Sequence, residues 1–188
     1  MSENRFISQP YLSPETYFTE TPVDGNTITL WAIHTKPRAE KKLVRFLHMY
    51  DVNHYLPTSL RRHVYGTREP RWNWIPLFPG YVFILQEDIS RSVLYRSNSV
   101  VKVIPIESPN ELYQDLRNVW LALTHKPTEV ELSLYKPGSP VEVRSGPMRG
   151  VIGEILKTKN KKTRLVIRVR FFERAVSVDI DAGCVRPI

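Results

Sequence analysis

The chain has 188 residues, a formal net charge of +8, 41% hydrophobic residues and a single cysteine, Cys184. That length suits one medium domain or two small ones with a packed core. A lone cysteine excludes an intramolecular disulfide framework and a cysteine-rich zinc site. Apolar runs are too short for a membrane helix, which needs about 20 residues, and no secretory leader is recognisable. A cytoplasmic monomer with no membrane partner is the expectation. Charge is uneven: residues 1–27 sum to −3, residues 28–125 to +5 and residues 126–188 to +6. Two basic blocks after an acidic leader point to a polyanion such as nucleic acid, or simply to solubility.

Residues 1–27 hold three prolines and no clear period, and read as a flexible arm. Ile28 to Thr35 is a β-branched and aromatic run, apolar on both faces near its centre, which predicts a central strand. Pro37 suits a helix start. Leu43, Phe46, Leu47 and Tyr50 then recur at helical spacing. Arg38, Lys41, Lys42 and Arg45 recur likewise, giving a basic stripe on another face. That stripe fits the phosphates of an exposed DNA strand, or an ordinary solvated face.

Val52 to Leu56 predicts a short strand, and residues 57–73 a loop or extended hairpin. The latter carries Arg61, Arg62, Arg68 and Arg71 beside Trp72 and Trp74. Arginine pairs with phosphate and indole stacks on an unpaired base, so this segment is a second nucleic-acid candidate. The alternative packs both tryptophans on the core. Tyr81 to Leu85 predicts a strand, Ser90 to Tyr95 a short helix, and Val100 to Ile104 another strand. Ser108-Pro109-Asn110-Glu111 is a capping-box pattern that opens a helix through Leu123. Strand and helix alternate to that point, as in an α/β layer fold.

Residues 126–136 read as a linker. From Pro137 onward, short alternating stretches are separated by turn signals at Gly138, Ser145-Gly146-Pro147, Asn160 and Glu173-Arg174. That spacing predicts a small β-barrel. Phe171 and Phe172 are adjacent, so a strand there buries only one of the two rings. Lys157, Lys159, Lys161, Lys162 and Arg164 mark a basic hairpin tip, read as a solvated turn ahead of an RNA contact.

Three segments together resemble the NusG family of transcription factors. They are Trp31 to Glu40, the run Phe78-Pro79-Gly80-Tyr81-Val82-Phe83, and Gly138 to Gly153, which is similar to a KOW motif. The resemblance spans residues 28–188. It implies an α+β protein: an N-terminal α/β sandwich of the NGN type over residues 28–125, then an SH3-like five-stranded β-barrel, the KOW domain, over residues 137–188. It implies a factor that grips the clamp helices of the largest RNA polymerase subunit and suppresses pausing and termination. Its barrel would recruit Rho or a small-subunit ribosomal protein.

By the same resemblance, His34, Phe78, Pro79, Tyr81 and Val100 line the clamp surface, with Phe78 and Tyr81 presented by a rigid turn. Met148, Val151, Phe172 and Arg174 meet the second partner. The short, tryptophan-rich loop before the Phe78 run resembles specialised paralogues of the RfaH type, which act on long operons such as those for surface polysaccharide. Where those carry His-Thr-Thr, this chain has Ser90-Arg91-Ser92. KOW-like barrels also occur in ribosomal proteins, so an RNA- or ribosome-binding role in translation is the competing reading.

No enzyme is expected. The histidines, His34, His48, His54, His63 and His125, lack metal-ligand spacing. There is no P-loop or dinucleotide fingerprint, Cys184 has no base beside it, and no cofactor is implied.

Overall fold

The computed structural model describes residues 30–63, 71–85, 89–125, 131–134, 138–146, 148–157 and 163–188. The arm (1–27), Arg68, Pro147 and the lysines 159, 161 and 162 lie outside the described residues. Contacts divide the chain into two units, Met1–Asn110 and Glu111–Ile188.

The first unit is built on strands β1 (Leu30–Thr35), β2 (His54–Tyr55), β5 (Tyr81–Leu85) and β6 (Val100–Pro105), in the order β2-β5-β1-β6. Each pairing is antiparallel. β1 therefore lies inside the sheet, and Leu30, Trp31, Ala32 and Ile33 are all buried, as the two-faced apolar run predicts. Helix α1 (Glu40–Met49) places Leu43, Val44 and Leu47 against Trp31, Ile33, Val82 and Ile84 in one apolar cluster. Leu94 of the short helix α2 (Arg91–Arg96) joins that cluster.

Within and just beyond the segment read as a loop or extended hairpin, β3 (Thr58–His63) pairs antiparallel with β4 (Arg71–Pro76) as a separate two-stranded sheet.

Helix α3 (Pro109–His125) begins at the capping-box proline and runs two residues past the expected end. The second unit contains an antiparallel six-stranded sheet of β7 (Glu131–Leu134), β8 (Ser139–Val143), β9 (Ile152–Lys157), β10 (Thr163–Val169), β11 (Arg174–Asp179) and β12 (Val185–Pro187). Its order is β12-β8-β9-β10-β11-β7. Six strands stand where five are expected, because Glu131–Leu134, inside the segment read as a linker, pairs with β11. Val141, Val143, Leu165, Ile167, Val169, Val176 and Val178 are buried, but so are Val166, Ala175 and Ser177, so the centres of β10 and β11 are covered on both faces and do not keep the expected alternation. Gly153 is demanded by packing: a Cβ there would lie 2.6 Å from the Val166 carbonyl oxygen of the neighbouring strand.

Candidate functional site

The Phe78–Tyr81 segment is a tight turn. The Tyr81 N–H donates to the Phe78 carbonyl at 3.2 Å. Pro79 holds the second place and Gly80 the third, with φ at +85°. That is the residue preference of a type II turn, whose third position requires the left-handed region. The Gly80 carbonyl accepts from the Thr35 N–H at 2.8 Å, and the Gly80 N–H donates to Glu40 Oε1 at 2.7 Å. Glu40 is the first residue of α1 and is 6% exposed. A carboxylate there is favoured by the helix dipole and by its charge-assisted bond. Helix α1 and strand β1 therefore hold the turn from both sides.

His34 and Tyr81 are register partners across β1 and β5, and their rings stack with centroids 5.2 Å apart. Both are half-buried, and Pro79 is exposed. Three of the expected clamp-surface residues, His34, Pro79 and Tyr81, thus come together at the solvent boundary. Phe78 does not. It is 2% exposed, so the turn presents Tyr81 alone and uses Phe78 as core. Val100 is likewise buried, within the cluster beneath α1.

The basic stripe is shorter than its spacing suggests. Arg38 lies before α1 with φ at +59°, so a four-residue helical stripe is not formed. Lys41, Lys42 and Arg45 are on the helix. Burial, and then the nearby Arg45, pull the Lys41 ammonium below its ordinary pKa. Two cations at i and i+4 repel when no anion lies between them.

Across the β3–β4 ladder, Arg62 is the register partner of Trp72, Leu60 of Trp74 and Arg61 of Asn73. Trp72 is 55% exposed and Trp74 partly buried, so the two indoles divide between surface and packing. In the Ser90-Arg91-Ser92 triplet, Ser90 and Ser92 lie at the exposed start of α2 with their hydroxyls 3.0 Å apart. The Arg91 guanidinium sits 5.1 Å above the Trp31 ring, a cation–π contact that fixes its direction.

Two of the residues expected to meet a second partner are core. Met148 and Val151 are 6% and 0% exposed, whereas their neighbour Ile152 is 54% exposed. Phe171 and Phe172 also depart from expectation. They lie in a 3-10 turn, Arg170–Phe172, where strand alternation does not apply, and both rings are half-buried in an edge-to-face contact. Glu173, with φ at +49°, ends that turn, and Arg174 is exposed. Glu40, Ile152 and the ion pairs of Arg170 were not legible as site residues from spacing alone. Among the described residues no cluster of His, Cys, Asp and Glu is placed to hold a metal, and no helix is long and apolar enough to cross a membrane.

Residues 30–121 match the family model described as transcription termination factor NusG. The matched span contains the β1–α1 segment, the hairpin, the Phe78–Tyr81 turn and most of α3. No curated protein matches the chain. Two solved structures are similar to it. A NusG structure from Thermotoga maritima, described in terms of domain interaction, is 21% identical, covering 85% of this chain and 97% of that one with a TM-score of 0.43. The MjSpt4:Spt5 complex in conformation B is 13% identical, covering 85% of this chain and 96% of that one with a TM-score of 0.29.

Proposed function

We propose that this chain is a transcription elongation and antitermination factor, not an enzyme, that binds the clamp helices of the largest RNA polymerase subunit. The match of residues 30–121 to the NusG model carries this reading. The docking surface is Pro79, Tyr81 and His34, held by Glu40 and Gly80. A half-exposed aromatic on a rigid turn contributes large contact area with little ordering cost. Lys41, Lys42, Arg45 and the β3–β4 hairpin line the path of non-template DNA.

Residues 137–188 act as a KOW domain that recruits Rho or a small-subunit ribosomal protein, with Ile152, Phe172 and Arg174 as its accessible side chains. The chain is a specialised paralogue serving a long operon. Co-purification tests the central claim: core polymerase is retained by the wild type and lost with Tyr81→Ala. Retention of ribosomal subunits in place of polymerase would move the protein to translation. Mapping polymerase occupancy with and without the protein tests the specialised role, since a housekeeping factor changes most genes.

A further inference from the structure

Strand β6 breaks its own alternation. Val100 and Val103 both join the apolar cluster under α1. A regular strand cannot arrange this, because residues an odd number of positions apart face opposite ways. A bulge supplies the extra step. His34 pairs with Lys102 and Thr35 with Val100, so Val101 has no register partner on β1. A bulge of this kind sets two residues against one and re-aims the side chains it carries. Val101 is 51% exposed, and Lys102 beside it is exposed as well.

The bulge lies next to the docking surface. Directly opposed residues share a face of the sheet. Ile33, Val82 and Val103 face the α1 cluster, so His34, Tyr81 and Lys102, each one position along, face the other way. Tyr81 and Lys102 are the register partners of His34 on its two sides. The row Tyr81–His34–Lys102 therefore crosses three strands, running from an aromatic end to a cationic end. β6 is last in its sheet, so no strand of that sheet lies beyond Lys102. Among the described residues no carboxylate pairs with the Lys102 ammonium.

We propose that the surface for the polymerase helix continues across β1 to the β6 bulge, where Val101 adds apolar contact and Lys102 selects a carboxylate on the partner. This deepens the reading of Pro79, Tyr81 and His34 as a docking surface and rests on it. Adjacent strands are about 4.8 Å apart, so Tyr81 and Lys102 are about 10 Å apart along the row. A helix rises about 1.5 Å per residue, so roughly seven residues, or two turns, cover that span. The fitting partner is a helix with an apolar residue over Tyr81 and an Asp or Glu two turns along the same face. A cation at the open rim of such a contact steers association and fixes register more than it adds affinity.

Binding kinetics of the full chain on immobilised core polymerase, free of nucleic acid, test the proposal. Lys102→Glu is expected to slow association by roughly tenfold at low salt, with the difference shrinking at high salt. Lys102→Arg should keep the wild-type rate. Arg96→Glu makes the same charge change at an exposed residue of α2 and should stay within about twofold of wild type. Val101→Ser is expected to speed dissociation, and an unaltered rate would strike Val101 from the surface. Unchanged association of Lys102→Glu would overturn the proposal, as would equal slowing by Arg96→Glu, which marks net charge alone. Tyr81→Ala separates the two readings. Loss of binding there with normal Lys102→Glu kinetics removes only the extension, whereas normal binding of Tyr81→Ala removes the docking surface and its extension together.

Discussion

Glu40 and Gly80, forty positions apart, meet in a 2.7 Å hydrogen bond that ties the first turn of α1 to the Phe78–Tyr81 turn. The donor is a backbone N–H and the acceptor a nearly buried carboxylate. Glu40→Ala leaves that N–H unpaired and is expected to cost about 1–3 kcal/mol. Glu40→Gln keeps an acceptor and should cost less. Urea unfolding of both variants reads the difference, and polymerase retention should fall with Glu40→Ala as the turn loosens. Equal stability of the two variants would remove the bond from the account of the site.

Gly80 is required by its backbone, not by space. A Cβ would meet the His34 ring at 3.5 Å and 3.6 Å, an ordinary contact, but φ is +85°. Gly80→Ala is therefore expected to lower stability by about 1–2 kcal/mol through left-handed strain. Gly153 is the opposite case, since its Cβ would press on a carbonyl oxygen at 2.6 Å. Gly153→Ala should cost about 1–3 kcal/mol by overpacking. Thermal melts separate the two causes: Gly80→Asn should recover stability, because Asn tolerates the left-handed region, while Gly153→Asn should be worse than Gly153→Ala.

Phe78 and Tyr81 divide the work of one motif. Phe78 is core at 2% exposure, so Phe78→Ala is expected to cost about 3–5 kcal/mol of stability. Tyr81→Ala removes a half-buried ring stacked on His34, and should lose polymerase binding while leaving the urea midpoint close to wild type. Tyr81→Phe preserves the stack and should retain binding. A pull-down paired with unfolding curves distinguishes the roles, and a Tyr81→Ala chain that binds normally would exclude the turn as the docking surface.

How much of this was legible follows from which physics each residue obeys. The β1 strand, Leu43 and Leu47 of the α1 core face and the start of α3 are short-range patterns that period, proline placement and capping predict, whereas Val44 takes the buried place that spacing gave to Tyr50, which lies past the helix end and is exposed, and the helix opens at Glu40, not at Pro37. Phe78 failed because a Pro-Gly break resets the phase of alternation, so sequence does not say which side of the turn faces inward. Phe171 and Phe172 failed because a 3-10 turn interrupts the strand whose period was assumed. Arg38 has helical spacing but a positive φ, which only the backbone reveals. Glu40 and Asp115 find their partners forty and fifty-five residues away, a separation that no local pattern encodes.

His54 gives the chain a pH response. Burial is the larger influence and lowers its pKa; the Val52 carbonyl, which accepts from Nδ1 at 2.8 Å, partly opposes it, and the nearby His48 lowers it further. The folded-state pKa therefore lies below the unfolded value of 6.5. As pH falls through 6.5 the unfolded chain takes up the proton first, so stability drops, and the loss levels off once pH passes below the folded pKa. Stability from this residue is fully present above the unfolded pKa. Urea unfolding of the wild type is expected to give a lower midpoint at about pH 5.5 than at about pH 7.5. His54→Gln, which cannot take up a proton, should flatten that difference. An unaltered pH slope in the variant would assign the acid sensitivity to other groups.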